Sequence, residues 1–361
     1  MTEKEKKTLQ IVRGLALMMV VLHHVLRANG NSRYDDYVYL LSYIHVQTFF
    51  VISGFLYEWN NDKYRKNGIA VFVGKKTKEL VLPYFAWTWL LSGLIVLVKS
   101  ISPVAYGILE SKGYVAKSLG DLIIDPFLFR NPYYESLWFV YTLYVLFAIN
   151  WLISSRYVNK YCFAILTVAA SCYSFFCYET SPFIVRQIVK NFQWFYLGRL
   201  CVIYRKQLLV YLNSRKNRLA IIVVFILLSV SMIRDPVARY VDNKICRACL
   251  YYVEKTLFSI CGVSVMYILA DIFCRKTAVG SALKYIGDKS YGIYLVHNPW
   301  IVTPISLVAL KVLPSNAVGE IIIFIIVLGF SLMASLCMEK IRFVSGIFLG
   351  KGKRNYVMTE N

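Results

Sequence analysis

The chain contains four histidines, His23, His24, His45 and His297, and each falls within a long apolar stretch. Near neutral pH an imidazole takes a proton from a hydroxyl and hands it on. Keeping a titratable side chain in apolar surroundings is costly, so such a residue usually faces a bundle interior or a wet cavity and is a candidate for chemistry. Arg13 stands eleven residues before His24. At 3.6 residues per turn that is about three turns, which puts both side chains on one helix face, roughly 16 Å apart along the axis. Arginine stays charged and binds phosphate or stabilises an anion. Together the two describe a route from an anionic donor to a group that gives up a proton, which suits acyl transfer; a proton-coupled transporter would use the same residue types. His23 points about 100° away from this stripe. His45, returning on the next helix, comes to the depth of His24, whereas His297 enters from the opposite surface and is expected to sit lower.

The elements that carry these residues follow from composition. The 361 residues are 58% hydrophobic and only 17% charged, too apolar for a surface covered by water. Lys and Arg number 41 against 20 Asp and Glu, a net charge of +21. These basic residues lie in short loops between apolar runs, which is a topology signal and excludes a nucleic-acid-binding face. Ten windows are long enough to cross a bilayer: Leu9–Leu26, Val38–Tyr57, Leu80–Val98, Ser136–Ile153, Tyr161–Tyr178, Phe192–Tyr204, Leu219–Ile233, Leu250–Phe273, Ser290–Leu310 and Val318–Met338. The expected fold is all-α, a polytopic transmembrane helical bundle of about ten spans. Lys and Arg concentrate in the amino-terminal segment, in alternate loops and in the tail, so both termini are expected in the cytoplasm and the protein in the cell membrane. The charge excess then mostly records orientation.

The amino terminus resembles a signal sequence, but its apolar run is long and no small-x-small cleavage site follows, so it reads as a retained first span. One transmembrane domain is expected over residues 1–345, with a basic tail over 346–361. The nine cysteines fall mostly within spans, where thiols act as small apolar fillers. Cys246 and Cys249 form a disulfide or nothing, and no metal site is expected from one C-x-x-C pair.

The residues then reach a resemblance. Leu9-Gln10-Ile11-Val12-Arg13-Gly14-Leu15-Ala16 through His23-His24 resembles the start of the acyltransferase 3 family, polytopic membrane enzymes that acylate sugars and other cell-surface molecules. The family's first-span pattern is Arg, ten residues, then His, which falls on Arg13 and His24. Its second-span pattern is similar to Ile44-His45-Val46-Gln47-Thr48-Phe49-Phe50-Val51-Ile52-Ser53-Gly54-Phe55. Later landmarks resemble Ser136-Leu137-Trp138-Phe139, Phe195-Tyr196-Leu197-Gly198 and Ser290-Tyr291-Gly292-Ile293-Tyr294-Leu295-Val296-His297. One stretch departs from the family: an Arg-rich loop is here Lys75-Lys76-Thr77-Lys78-Glu79 before Pro83-Tyr84. Lysine supplies charge without the guanidinium fork.

The resemblance implies an integral membrane O-acyltransferase with acetyl-CoA or another acyl-CoA as co-substrate and no tightly bound cofactor. Its acceptor would be a hydroxyl of a cell-surface polysaccharide or its lipid-linked precursor. His24, as general base, Arg13 and His45 are the expected catalytic residues. Lys75, Lys76 and Lys78 are read either as contacts to the coenzyme A phosphates or as positive-inside anchors, and Arg199 as a phosphate contact or a snorkelling side chain. His297 and Glu135 are assigned to the acceptor side. The rival is a transporter or flippase for a glycan or small anion; against it stand the lack of a detectable repeat pair with broken helices and the concentration of intramembrane charge in the first two spans.

Overall fold

The computed structural model describes residues 1–111, 113–128, 137–177, 179–234, 241–275 and 277–351, and the described residues hold helices and no strand. The first half of the chain forms α1 (Glu3–Asn29), α2 (Asp35–Ser42), α3 (His45–Trp59), α4 (Asn61–Lys76), α5 (Leu82–Ile101), α6 (Pro103–Ser111), α7 (Leu119–Phe127), α8 (Trp138–Leu152) and α9 (Lys160–Phe176). The second half forms α10 (Phe183–Ile203), α11 (Arg205–Asn213), α12 (Arg215–Arg234), α13 (Lys244–Arg275), α14 (Thr277–Val296), α15 (Val302–Ala309), α16 (Ala317–Lys340) and α17 (Arg342–Phe348). Short π-helical turns at Thr77–Val81 and His297–Ile301 join α4 to α5 and α14 to α15.

Among the described residues six helical segments are long and apolar enough to cross a membrane, and α8 and α9 are shorter apolar helices. Helix α12 buries almost none of its apolar length against the rest of the chain. In water that surface would be a large liability; in lipid it needs no cover. Two expected spans differ from single helices. Val38–Tyr57 is interrupted between α2 and α3, and Ser290–Leu310 is broken at Asn298, whose φ of −129° and ψ of 130° are extended.

Helix α1 occupies the centre of the bundle. Thr2 and Glu5 start it with a reciprocal capping box, Thr2 N donating to Glu5 Oε2 at 2.7 Å, and Gly30 ends it in the left-handed region at φ 63°. It packs against α3, α13, α14 and α16. Ile11, Val12 and Ala16 enter one apolar cluster with α13, while Leu17, Val21 and Val25 enter another with α16. A helix buried all round has no solvent face on which to discard a polar residue.

Two glycine contacts set how closely the central helices approach. A Cβ on Gly287 would fall 1.9 Å from the Gln10 carbonyl oxygen, and one on Gly14 2.2 Å from that of Leu283, so α1 and α14 meet backbone to backbone. Gly54 and Gly198 do the same for α3 and α10, at 1.8 Å from the Phe195 oxygen and 2.0 Å from that of Val51. Small residues allow such approach in membrane bundles. Gly287→Ala is therefore expected to destabilise the protein by about 3 kcal/mol, the upper range for overpacking, read as a lower melting temperature of the detergent-purified protein. An unchanged melting temperature would show that the two helices part at no cost.

Candidate active site

The four histidines converge. The His24 ring centroid lies 5.3 Å from His23 and 5.1 Å from His297, and that of His23 lies 4.9 Å from His45. The capping box phases α1 from its first turn, so His24 falls eleven residues above Arg13 on one face, as its spacing predicts. His45 is the first residue of α3, held at that height by the break after α2.

His297 does not sit lower than the others, and the reason is the true start of its helix. Helix α14 begins at Thr277, thirteen residues before the apolar window at Ser290. By His297 it has risen about 30 Å, a full hydrocarbon thickness. His23, off the stripe by its angle, also belongs to the cluster, because α1 has neighbours on every side. Its proximity to the stripe was the available signal; the helix's all-round apolarity shows that an adjacent face is also interior.

Hydrogen bonds fix two of the rings. His23 Nδ1 donates to the Val38 carbonyl at 3.2 Å and His297 Nδ1 to the Tyr294 carbonyl at 2.6 Å, since a carbonyl can only accept. In the neutral ring each keeps Nε2 as a lone pair, and that of His297 is buried without a hydrogen-bond partner among the described residues. Both ring nitrogens of His45 are likewise buried and unpaired among the described residues. Of these groups His45 stands at a cavity wall, where its nitrogens are available to whatever enters.

The cavity is present. A space of about 660 Å³ is lined at one end by Arg13, Lys75, Lys76 and Lys351 and at the other by His24 and His45. Its sides are apolar and aromatic, with Phe49, Trp138, Phe139 and Tyr294 prominent. Arg13 donates Nη1 to Gln10 Oε1 at 3.2 Å and faces this space. Glu79, on the π-helical turn after α4, moderates the basic mouth: Lys76 Nζ lies 2.8 Å from Glu79 Oε2 and Lys75 Nζ 3.7 Å from Oε1. Residues beyond α17 close the same mouth. Leu349 is buried, Gly350 takes φ 61° with no room for a Cβ beside the carbonyl oxygens of Lys78 and Glu79, and Lys351 pairs with Glu339 at 2.6 Å. The first part of the expected tail is thus built into the bundle, and its remainder, 352–361, lies outside the described residues.

The remaining expected site residues lie elsewhere. Lys78 is exposed and outside the lining. Arg199 is fully buried and committed: Nε to Glu58 Oε2 at 2.7 Å, Nη1 to Asn150 Oδ1 at 3.0 Å and Nη2 to the Ile153 carbonyl at 3.0 Å. It ties α10 to α3 and to the end of α8, with no donor edge turned to a phosphate. Its apolar flanks suggested a snorkelling end; the carboxylate that holds it, Glu58, is remote in sequence. Glu135 lies outside the described residues. Cys246 and Cys249 are both free thiols.

Chemically, the cavity joins a basic mouth to a pair of imidazoles. A family model for an acyltransferase domain matches residues 7–339, nearly the whole chain. No curated protein and no solved structure matches significantly.

Proposed function

The chain belongs to the acyltransferase 3 family and is a multi-pass membrane acyltransferase, and from that premise we propose that it is an O-acetyltransferase of the cell membrane, taking acetyl-CoA from the cytoplasm and acylating a hydroxyl of a cell-surface polysaccharide or its lipid-linked precursor. The reading includes ten crossings with both termini inside. The observation that carries it is the continuous cavity from Arg13, Lys75, Lys76 and Lys351 to His24 and His45.

In this reading the phosphates of the donor occupy the basic mouth and its thioester reaches toward the histidines. His24 accepts the proton of the acceptor hydroxyl as its oxygen attacks the thioester carbonyl; the new C–O bond forms, the C–S bond breaks, and the imidazolium returns the proton to the departing thiolate. Arg13 holds the anionic donor. His297, with Nδ1 tied to Tyr294, packs its ring against that of His24 and limits the positions the His24 ring can take. His45 contacts the acceptor hydroxyl or assists His24. Purified protein given acetyl-labelled coenzyme A and the surface glycan of the producing cell is expected to place base-labile label on the glycan. Thioester loss that does not depend on glycan, or no loss, would overturn the proposal.

The pairing of Glu79 with both lysines gives a prediction of its own. Phosphates must displace this carboxylate, so Glu79→Gln is expected to lower the KM for acetyl-CoA several-fold, while the double substitution Lys75→Gln with Lys76→Gln raises it about tenfold, equivalent to one charge-assisted contact. Steady-state kinetics at varied acetyl-CoA decide it. A rise in KM for Glu79→Gln would remove these lysines from the donor site.

A further inference from the structure

A second cavity, of about 600 Å³, lies against the same turn of α3 from another side. Tyr43 and Gln47 line it, while His45 between them lines the first cavity. Resting on the acyl-transfer reading, we infer that this second cavity holds the acceptor and that the acceptor is an acidic sugar, one bearing a carboxylate or a phosphate beside free hydroxyls.

The acid is called for by two ammonium groups. Lys255 Nζ lies 3.7 Å from the centre of the Tyr251 ring and 4.9 Å from that of Tyr43, and Lys190 Nζ lies 5.7 Å from the Tyr43 ring. Both side chains line the cavity, and neither has an ion pair among the described residues. Glu254, whose charge attracts the neighbouring Lys255, makes no ion pair with it and accepts from Ser231 Oγ, and Glu179 is exposed at the rim. Two like charges held by aromatic faces in a half-buried wall repel, and an anion between them relieves that repulsion.

The hydroxyls are called for by two amides. Gln47 Nε2 donates to the Ser42 carbonyl at 3.2 Å, which fixes the amide and leaves Oε1 buried and unpaired. Gln193 Nε2 donates to Tyr252 Oη at 2.7 Å and leaves its own Oε1 in the same condition. Buried acceptors of this kind need donors. A neutral sugar would satisfy the oxygens and leave the ammonium groups bare; an inorganic anion would do the reverse. An acidic sugar meets both, and a hydroxyl on it could be offered toward His45 across one turn of α3.

The test uses the full-length protein in lipid nanodiscs and reads thermal stabilisation by sodium glucuronate, glucose 6-phosphate, glucose and inorganic phosphate. At least one acidic sugar is expected to stabilise saturably, with an affinity about tenfold or more above those of glucose and inorganic phosphate, and the better of the two identifies the acid. Lys190→Gln with Lys255→Gln is expected to abolish this shift and keep the stabilisation by acetyl-CoA. Ser174→Phe, which fills the cavity and leaves both ammonium groups, is expected to abolish it as well and serves if the double variant does not fold. An equal shift from glucose, no shift from either acidic sugar, or a shift that survives either variant overturns the inference. Failure of the acyl-transfer reading shows separately, as no response of the unaltered protein to acetyl-CoA.

Discussion

Cells carrying His24→Ala at normal protein level are expected to lose the acetyl ester on their surface glycan, with turnover of the purified variant down by about 10²–10⁴-fold, the range for removal of a general base. The variant should still bind acetyl-CoA, because the basic mouth lies eleven residues down the helix and contains Arg13, Lys75, Lys76 and Lys351. Arg13→Ala is expected to divide the other way, weakening donor binding as well as turnover. Measuring ester content, turnover and donor binding on both variants separates the roles. Unchanged acetylation in His24→Ala would remove that ring from the reaction. Equal loss of donor binding and turnover would make it part of the donor site instead.

Arg199→Met is expected to destabilise the protein by about 3–5 kcal/mol, because it strands the Glu58 carboxylate in a buried position. The guanidinium has no exposed surface and Glu58 is 6% exposed, so neither charge finds water when its partner goes. Combining Arg199→Met with Glu58→Leu should recover much of the loss, since an apolar pair of similar volume replaces a buried ion pair at little net cost. The melting temperature in detergent checks both. The KM for acetyl-CoA in whatever folded Arg199→Met remains is expected to stay unchanged; a tenfold rise would return Arg199 to the donor site.

The placement of the candidate residues is legible wherever it depends on spacing along one helix. Arg13 and His24 share a face because both lie on an uninterrupted α1, and a helical period carries that relation without knowledge of neighbours. What lay out of reach depends on where helices start and which ones touch. His297 was placed too low because Lys284, Asp288 and Lys289 end the apolar window while the backbone continues helical from Thr277. The window at Phe192 was short for the same reason: Arg186 and Lys190 interrupt the hydropathy of α10, which begins at Phe183. Nothing near Arg199 in the sequence points to its partner, because that carboxylate stands 141 residues away. The close approach of α3 and α10 lay within Ser53-Gly54 and Leu197-Gly198, but a glycine shows that a neighbour is near without saying which.

The central place of α1 has a consequence for biogenesis. The segment that carries Arg13, His23 and His24 is made well before α13, α14 and α16, which pack against it. Until those helices are made, these polar side chains lack part of their eventual surroundings. Closure of the bundle around α1, and with it the meeting of His297 with His24, therefore follows the synthesis of α14. A chain that stops before the end of α14 lacks His297 and with it the four-histidine cluster.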